Sequence, residues 1–128
     1  MIRIRIQKHN GSIIGFVVDG HGIEDDRDFK KDSALVGETF DLVCNSVSVL
    51  SQSVIIGLDE VLKLNSTYEI KDGHLKLDTK GFDDEELDKA QVLFSTFEKS
   101  IESTILGLNQ TLGLKESKKY ITLIDEEV

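Results

Sequence analysis

The chain reads as an α+β domain in the order β-β-α-β-β-α-β, with two long helices packed on one face of a mainly antiparallel or mixed sheet. Three observations predict this. The N-terminus alternates apolar and polar residues and then turns at Asn10-Gly11, the mark of a β-hairpin. Two later stretches place apolar residues at spacings of three and four, the period of an amphipathic helix. A second hairpin signal, Asp72-Gly73, lies between those helices.

Each element follows from its residues. Ile2, Ile4 and Ile6 alternate with Arg3, Arg5 and Gln7, as in a half-buried strand. Ile13 to Val18 is the returning strand, and it runs out at Asp19-Gly20-His21-Gly22. Residues 22–40, GIEDDRDFKKDSALVGETF, have no clean period and read as a mobile, lid-like loop. Asp41 is the expected N-cap of the first helix. Its apolar face is Val43, Val47, Leu50, Val54, Leu58 and Val61, and Asn65-Ser66 is expected to end it. Ser46, Ser48, Ser51 and Ser53 keep the helix thin. Residues 68–71 and 74–77 form the second hairpin. Asp83 to Glu86 open the second helix, where acidic charge suits the helix dipole. Its stripe is Leu87, Ala90, Phe94, Phe97, Ile101, Ile105, Leu108 and Leu112, and Gly113 stops it. Tyr120 to Ile124 is a last short strand before a polar tail.

The 128 residues are the usual size of one domain, so 1–128 reads as a single unit. One cysteine excludes an internal disulfide and fits a reducing compartment. No apolar run approaches the ~20 residues of a membrane span, and no signal-peptide core is visible. The expected location is cytoplasmic. A net charge of −9 disfavours direct binding of nucleic acid.

Chemistry centres on Cys44, in FDLVCNSVSVLSQS. With Asp41 as N-cap, Cys44 falls in the first helical turn, where the dipole favours a thiolate. The plain alternative is a small buried filler, a common role for cysteine. His21 is the natural partner, because flanking glycines leave room around the imidazole and catalytic Cys–His pairs meet in space rather than in sequence. His9 and His74 read as surface residues beside turns. One cysteine and scattered histidines do not supply a zinc site, so neither metal nor cofactor is expected. There is no phosphate-binding GK[ST] sequence and no GxSxG elbow.

Gly20-His21-Gly22 together with DLVCNSVSVLSQSVIIGL, residues 41–58, resembles the ribosomal-processing cysteine protease family, Prp. The resemblance implies a homodimeric endopeptidase that removes an N-terminal extension from a bacterial large-subunit ribosomal protein. It implies Cys44 as nucleophile and His21 as general base, with Asp41 and Ser48 held near the dyad. Asp41 either orients His21 or only caps the helix. The loop from Gly22 to Phe40 is longer than is usual in the family and is the expected region of substrate contact. Asn45 and Ser46 stand where the family more often has alanine. The competing reading is a non-catalytic homodimer of the same fold that binds a ribosomal or assembly partner.

Overall fold

Burial follows the alternation of the first strand. Ile2, Ile4 and Ile6 are buried, whereas Arg3 is exposed. In a computed structural model, which describes residues 1–20 and 34–128 (34–41 by backbone only), they lie in β1 (Ile2–His9). β2 (Ser12–Asp19) returns antiparallel to it through Asn10 and Gly11, with φ of 50° and 82°. Both values are left-handed, as a two-residue hairpin turn requires. The pairing register shifts after Gln7, which leaves Ile14 as an extra residue. The side chain of Gln91 bonds both the N–H and the carbonyl of Ile13, and Thr79 donates to the Ile14 carbonyl, so the bulge leaves those groups paired.

The other elements follow in chain order. α1 is Ala34–Ile56, and its last turns widen into a π-helical segment, Gly57–Val61. β3 (Thr67–Lys71) and β4 (His74–Asp78) form the second hairpin around Asp72-Gly73. α2 is Asp84–Leu112, α3 is the short Leu114–Ser117, and β5 is Ile121–Glu127. The strand order is β3-β4-β2-β1-β5, antiparallel except for the β1–β5 pair. This is the expected α+β architecture, with two long helices on a mixed sheet.

The second helix starts where its acidic residues indicate. Asp83 accepts from the Glu86 N–H, and Glu86 accepts in return from Asp83, a complete capping box. Ala90, Phe94, Phe97 and Ile101 are buried. Phe16 of β2 stacks on Phe97 at 4.3 Å and meets Phe94 edge-on at 6.2 Å, which joins helix to sheet. α1 supplies Val43, Val47, Val54 and Leu58 to the same core.

Four expectations need correction. α1 begins at Ala34 rather than at Asp41, so residues 34–40 are helix and not loop. Residues 21–33, the rest of the expected lid, lie outside the described residues. Val61 is exposed rather than part of the apolar stripe. The wider π turn rotates every later side chain relative to a 3.6-residue repeat. The window Leu42–Val61 does reach the length and apolarity of a membrane span, with a mean hydropathy of 1.4 over 20 residues. One of its flanks is the core face described above, while Leu42, Val49 and Ile56 remain exposed. Finally, the strand expected to end at Ile124 continues through Asp125-Glu126-Glu127.

That polar extension is held by charge. Lys8 of β1 reaches Glu98 of α2 at 3.2 Å and Asp125 of β5 at 3.0 Å. The bond to Lys8 lowers the pKa of Asp125, and the two carboxylates raise that of Lys8. Burial raises the pKa of Glu98, and Lys8 opposes that rise. The depressed pKa of Asp125 gives stability that is present at neutral pH and lost as pH falls through the carboxylate range. Ionising Glu98 costs stability as pH rises, and Lys8 keeps that cost small. Replacing Lys8 by methionine should therefore destabilise the fold by about 1–2 kcal/mol at pH 7. The deficit should shrink at an acid pH where both carboxyls are protonated, Glu98 first and Asp125 only below the usual carboxylate range. Urea unfolding of Lys8→Met and wild type at the two pH values measures this.

Candidate active site

Cys44, Val47, Ser48 and Ser51 follow one another at helical spacings, so they share one flank of α1. That flank walls a cavity of about 180 Å³. The sheet contributes Ile2, Val18 and Gly20, and the β3–β4 hairpin closes it with Ile70 and residues 71–75. Cys44 is half-buried and packs against the core, while Ser48 is exposed. Ser46, Ser51 and Ser53 return their hydroxyls to carbonyls of their own helix, which leaves them little to offer a ligand. Ser48 makes no hydrogen bond with another described residue, so its hydroxyl is available to the cavity.

The helix start overturns one argument for the thiol. Cys44 lies ten residues into α1, about 15 Å from its beginning at 1.5 Å per residue. The dipole acts only within the first turn, so it does not activate Cys44. Nor are backbone N–H groups of a helix start at hand for an oxyanion, because Cys44 is in the helix interior. Asp41 is not the N-cap; its backbone is helical, one turn before Cys44, and its side chain lies outside the described residues.

The histidine side is built from glycine. Gly20 lines the cavity with φ of 87°, a left-handed conformation that favours glycine. A Cβ there would lie 2.3 Å from the Met1 carbonyl oxygen, which no side chain tolerates. Its N–H donates to the Gly73 carbonyl at 2.8 Å. His21 follows directly in the chain and lies outside the described residues, as does Gly22. The structure therefore brings Cys44, Ser48 and Gly20 to one cavity. The stretch from Gly22 to Phe40, expected to contact substrate, is helical in its described part, 34–40.

A family model for the cysteine protease Prp matches residues 1–112. The chain belongs to the cysteine protease Prp family. The solved structures similar to it share its fold. The crystal structure of SMU.848 from Streptococcus mutans is 22% identical with a TM-score of 0.70, covering 100% of this chain and 96% of that one. The ribosomal processing protease Prp from S. aureus with a substrate peptide is 19% identical with a TM-score of 0.70, covering 98% and 100%. The same S. aureus protease with a covalently linked product peptide is 17% identical with a TM-score of 0.67, again covering 98% and 100%. No curated protein matches the sequence.

Membership of the Prp family makes the protein a cysteine protease, and Cys44 is its single cysteine. Among the described residues, no group of three His, Cys, Asp or Glu side chains is placed to hold a metal ion. Sequence reasoning missed two features of this Prp cavity. Gln52 lines it, two turns beyond Cys44. His74, read as a plain surface residue, also lines it, and its Nδ1 lies 2.5 Å from Asp19. His9 does match the surface reading, with Nδ1 on the Val128 carbonyl.

Because Ser48 is exposed and borders the cavity, Ser48→Leu should fill the approach to Cys44 without unfolding the protein. Alkylation of Cys44 by iodoacetamide should slow about tenfold, since thiol reactivity depends on access, while the melting temperature stays within about 2 °C. Mass spectrometry of timed reactions and thermal unfolding give both quantities.

Proposed function

We propose that this protein is a cytoplasmic endopeptidase that removes the N-terminal extension of a bacterial large-subunit ribosomal protein, with Cys44 as nucleophile and His21 as general base. The observation that carries this reading is the shared cavity: Cys44 forms one wall and Gly20, the residue before His21, forms another. Support for the substrate comes from similar structures of a ribosomal processing protease, one with a substrate peptide and one with a covalently linked product peptide.

His21 takes the thiol proton as Cys44 Sγ attacks the scissile carbonyl carbon. The tetrahedral oxyanion collapses, the C–N bond breaks, and His21 returns the proton to the leaving amine. Water then attacks the thioester, with His21 again as base, and releases the acid and the thiol. Ser48 and Gln52 are the side-chain donors on the α1 wall that would stabilise the oxyanion. Asp41, one turn before Cys44, orients His21 in this reading. Both Cys44→Ala and His21→Ala should lower cleavage of the ribosomal precursor about a thousandfold or more. Mass spectrometry of the products reads this directly. If Cys44→Ala cleaves as well as wild type, the proposal is wrong, and a binding-only homodimer takes its place.

The exposed stripe on α1 supports a homodimer. Leu42, Val49 and Ile56 recur every seven residues on the outer flank and are 67%, 68% and 56% exposed. A seven-residue apolar repeat is the pattern of a helix that packs against another helix. Val49→Glu places a charge in the middle of that stripe, and it should convert a dimer to monomer in sedimentation analysis without lowering helix content. A wild-type monomer would refute the dimer.

A further inference from the structure

We propose that His74 is a positioning residue of the proteolytic site, clasping with Asp19 the end of β2 to the β3–β4 turn and so holding Gly20 on the cavity wall. The inference rests on the preceding reading only in that His21, which follows Gly20, is the base.

Asp19 and His74 are directly opposed in the antiparallel β2–β4 pair. Asp19 Oδ1 lies 2.5 Å from His74 Nδ1, and since a carboxylate only accepts, the imidazole N–H donates. The other oxygen of Asp19 accepts from Arg5 at 3.2 Å, so this one side chain joins β1, β2 and β4. One residue further, Gly20 donates to the Gly73 carbonyl. Its backbone also sits so close to the Met1 carbonyl that a Cβ would overlap it. Gly20, Gly73 and His74 all line the cavity that holds Cys44.

The hairpin that the clasp secures is an edge of the sheet. β3 is exposed along its whole length and pairs only with β4, so the hairpin is attached through β4 alone. Edges with few buried contacts open locally at low cost. The His74–Asp19 bond ties the tip of that edge to β2 at the residue before Gly20. A simple surface ion pair would do nothing for catalysis and little for stability. A clasp at this point changes how firmly the cavity wall, and the chain leading into His21, is held.

The test uses the full chain with His74→Ala, His74→Asn and Asp19→Asn, and a synthetic peptide spanning the cleavage site of the ribosomal precursor. His74→Ala should lower kcat about tenfold or more while KM stays within about twofold. Hydrogen exchange at the Gly20 amide should accelerate, and the pH profile of Cys44 alkylation should move toward that of an ordinary thiol. His74→Asn should restore activity, because its amide donates from near the position of Nδ1. Asp19→Asn keeps one acceptor but turns an amide NH2 toward a donor, so its kcat and Gly20 exchange should fall between wild type and His74→Ala. If His74→Ala does not fold, a wild-type kcat and Gly20 exchange in Asp19→Asn overturns the proposal. The proposal is overturned if His74→Ala keeps its kcat, if Gly20 exchange is unchanged, or if His74→Asn is as impaired as His74→Ala. A wild-type protein that cleaves no ribosomal peptide overturns the substrate reading instead. The clasp is then upheld or overturned by Gly20 exchange and Cys44 alkylation alone.

Discussion

The packing of α1 on the sheet is the interaction on which the site depends. Val43, Val47, Val54 and Leu58 are buried in the common core, and Cys44 and Ser48 occupy neighbouring positions on the same helix. A core packed at near-crystalline density lets a helix neither roll nor slide without opening voids. The position of the thiol is therefore set by methyl groups that take no part in chemistry. Small side chains make this geometry possible. Ser51 is 1% exposed and bonds the Val47 carbonyl of its own helix, so it fills space as a small group with its polarity internally satisfied. Gly57 lets Leu93 of α2 approach so closely that a Cβ there would lie 2.7 Å from a Leu93 methyl.

How a cysteine in a helix interior gains reactivity is a separate question, and the location of α1 narrows the answer. A thiol in the first turn would draw on the helix dipole, whereas one in the third turn cannot. Activation must come from groups outside the helix. Gly20 is the point at which the sheet presents the chain leading to His21; its N–H donates to the Gly73 carbonyl, and its backbone lies close against the Met1 carbonyl. In the proposed mechanism the work is divided: α1 carries Cys44, and the end of β2 leads through Gly20 to the proposed base. Each rests on a different element, so the cavity exists only when helix and sheet are docked.

Much of the fold was legible because its elements are strongly periodic. The isoleucines of β1, the Asn10-Gly11 turn and the aromatic stripe of α2 each carry a local signal that agrees with the final packing. The beginning of α1 was not legible. Residues 34–40 include Gly37 and lack a clear apolar stripe, while Asp41 offers a plausible cap two residues before the first buried valine. Val61 was misplaced because a π turn changes the helical repeat without a sequence marker that distinguishes it. In the site, the Cys44–Ser48 spacing was readable from helical geometry alone. The opposition of Asp19 and His74 was not, because it depends on β4 lying beside β2, and two residues 55 apart acquire that relation only from the strand order.

The last strand shows how polar residues can be part of the sheet. Asp125-Glu126-Glu127 has little intrinsic preference for a strand. It continues there because β1 offers matched partners: Lys8 bonds Asp125, and Arg5 lies 3.8 Å from Glu126. Arg5 also bonds Asp19 on its other side, so a line of ion pairs and hydrogen bonds runs from β5 through β1 to β2 and on to His74 of β4. The hydrophobic core joins helices to sheet on one face. On the other face these bonds join strand to strand, and the line ends at the residue before Gly20. The sheet is thus fastened most specifically at the point where the cavity needs a fixed wall.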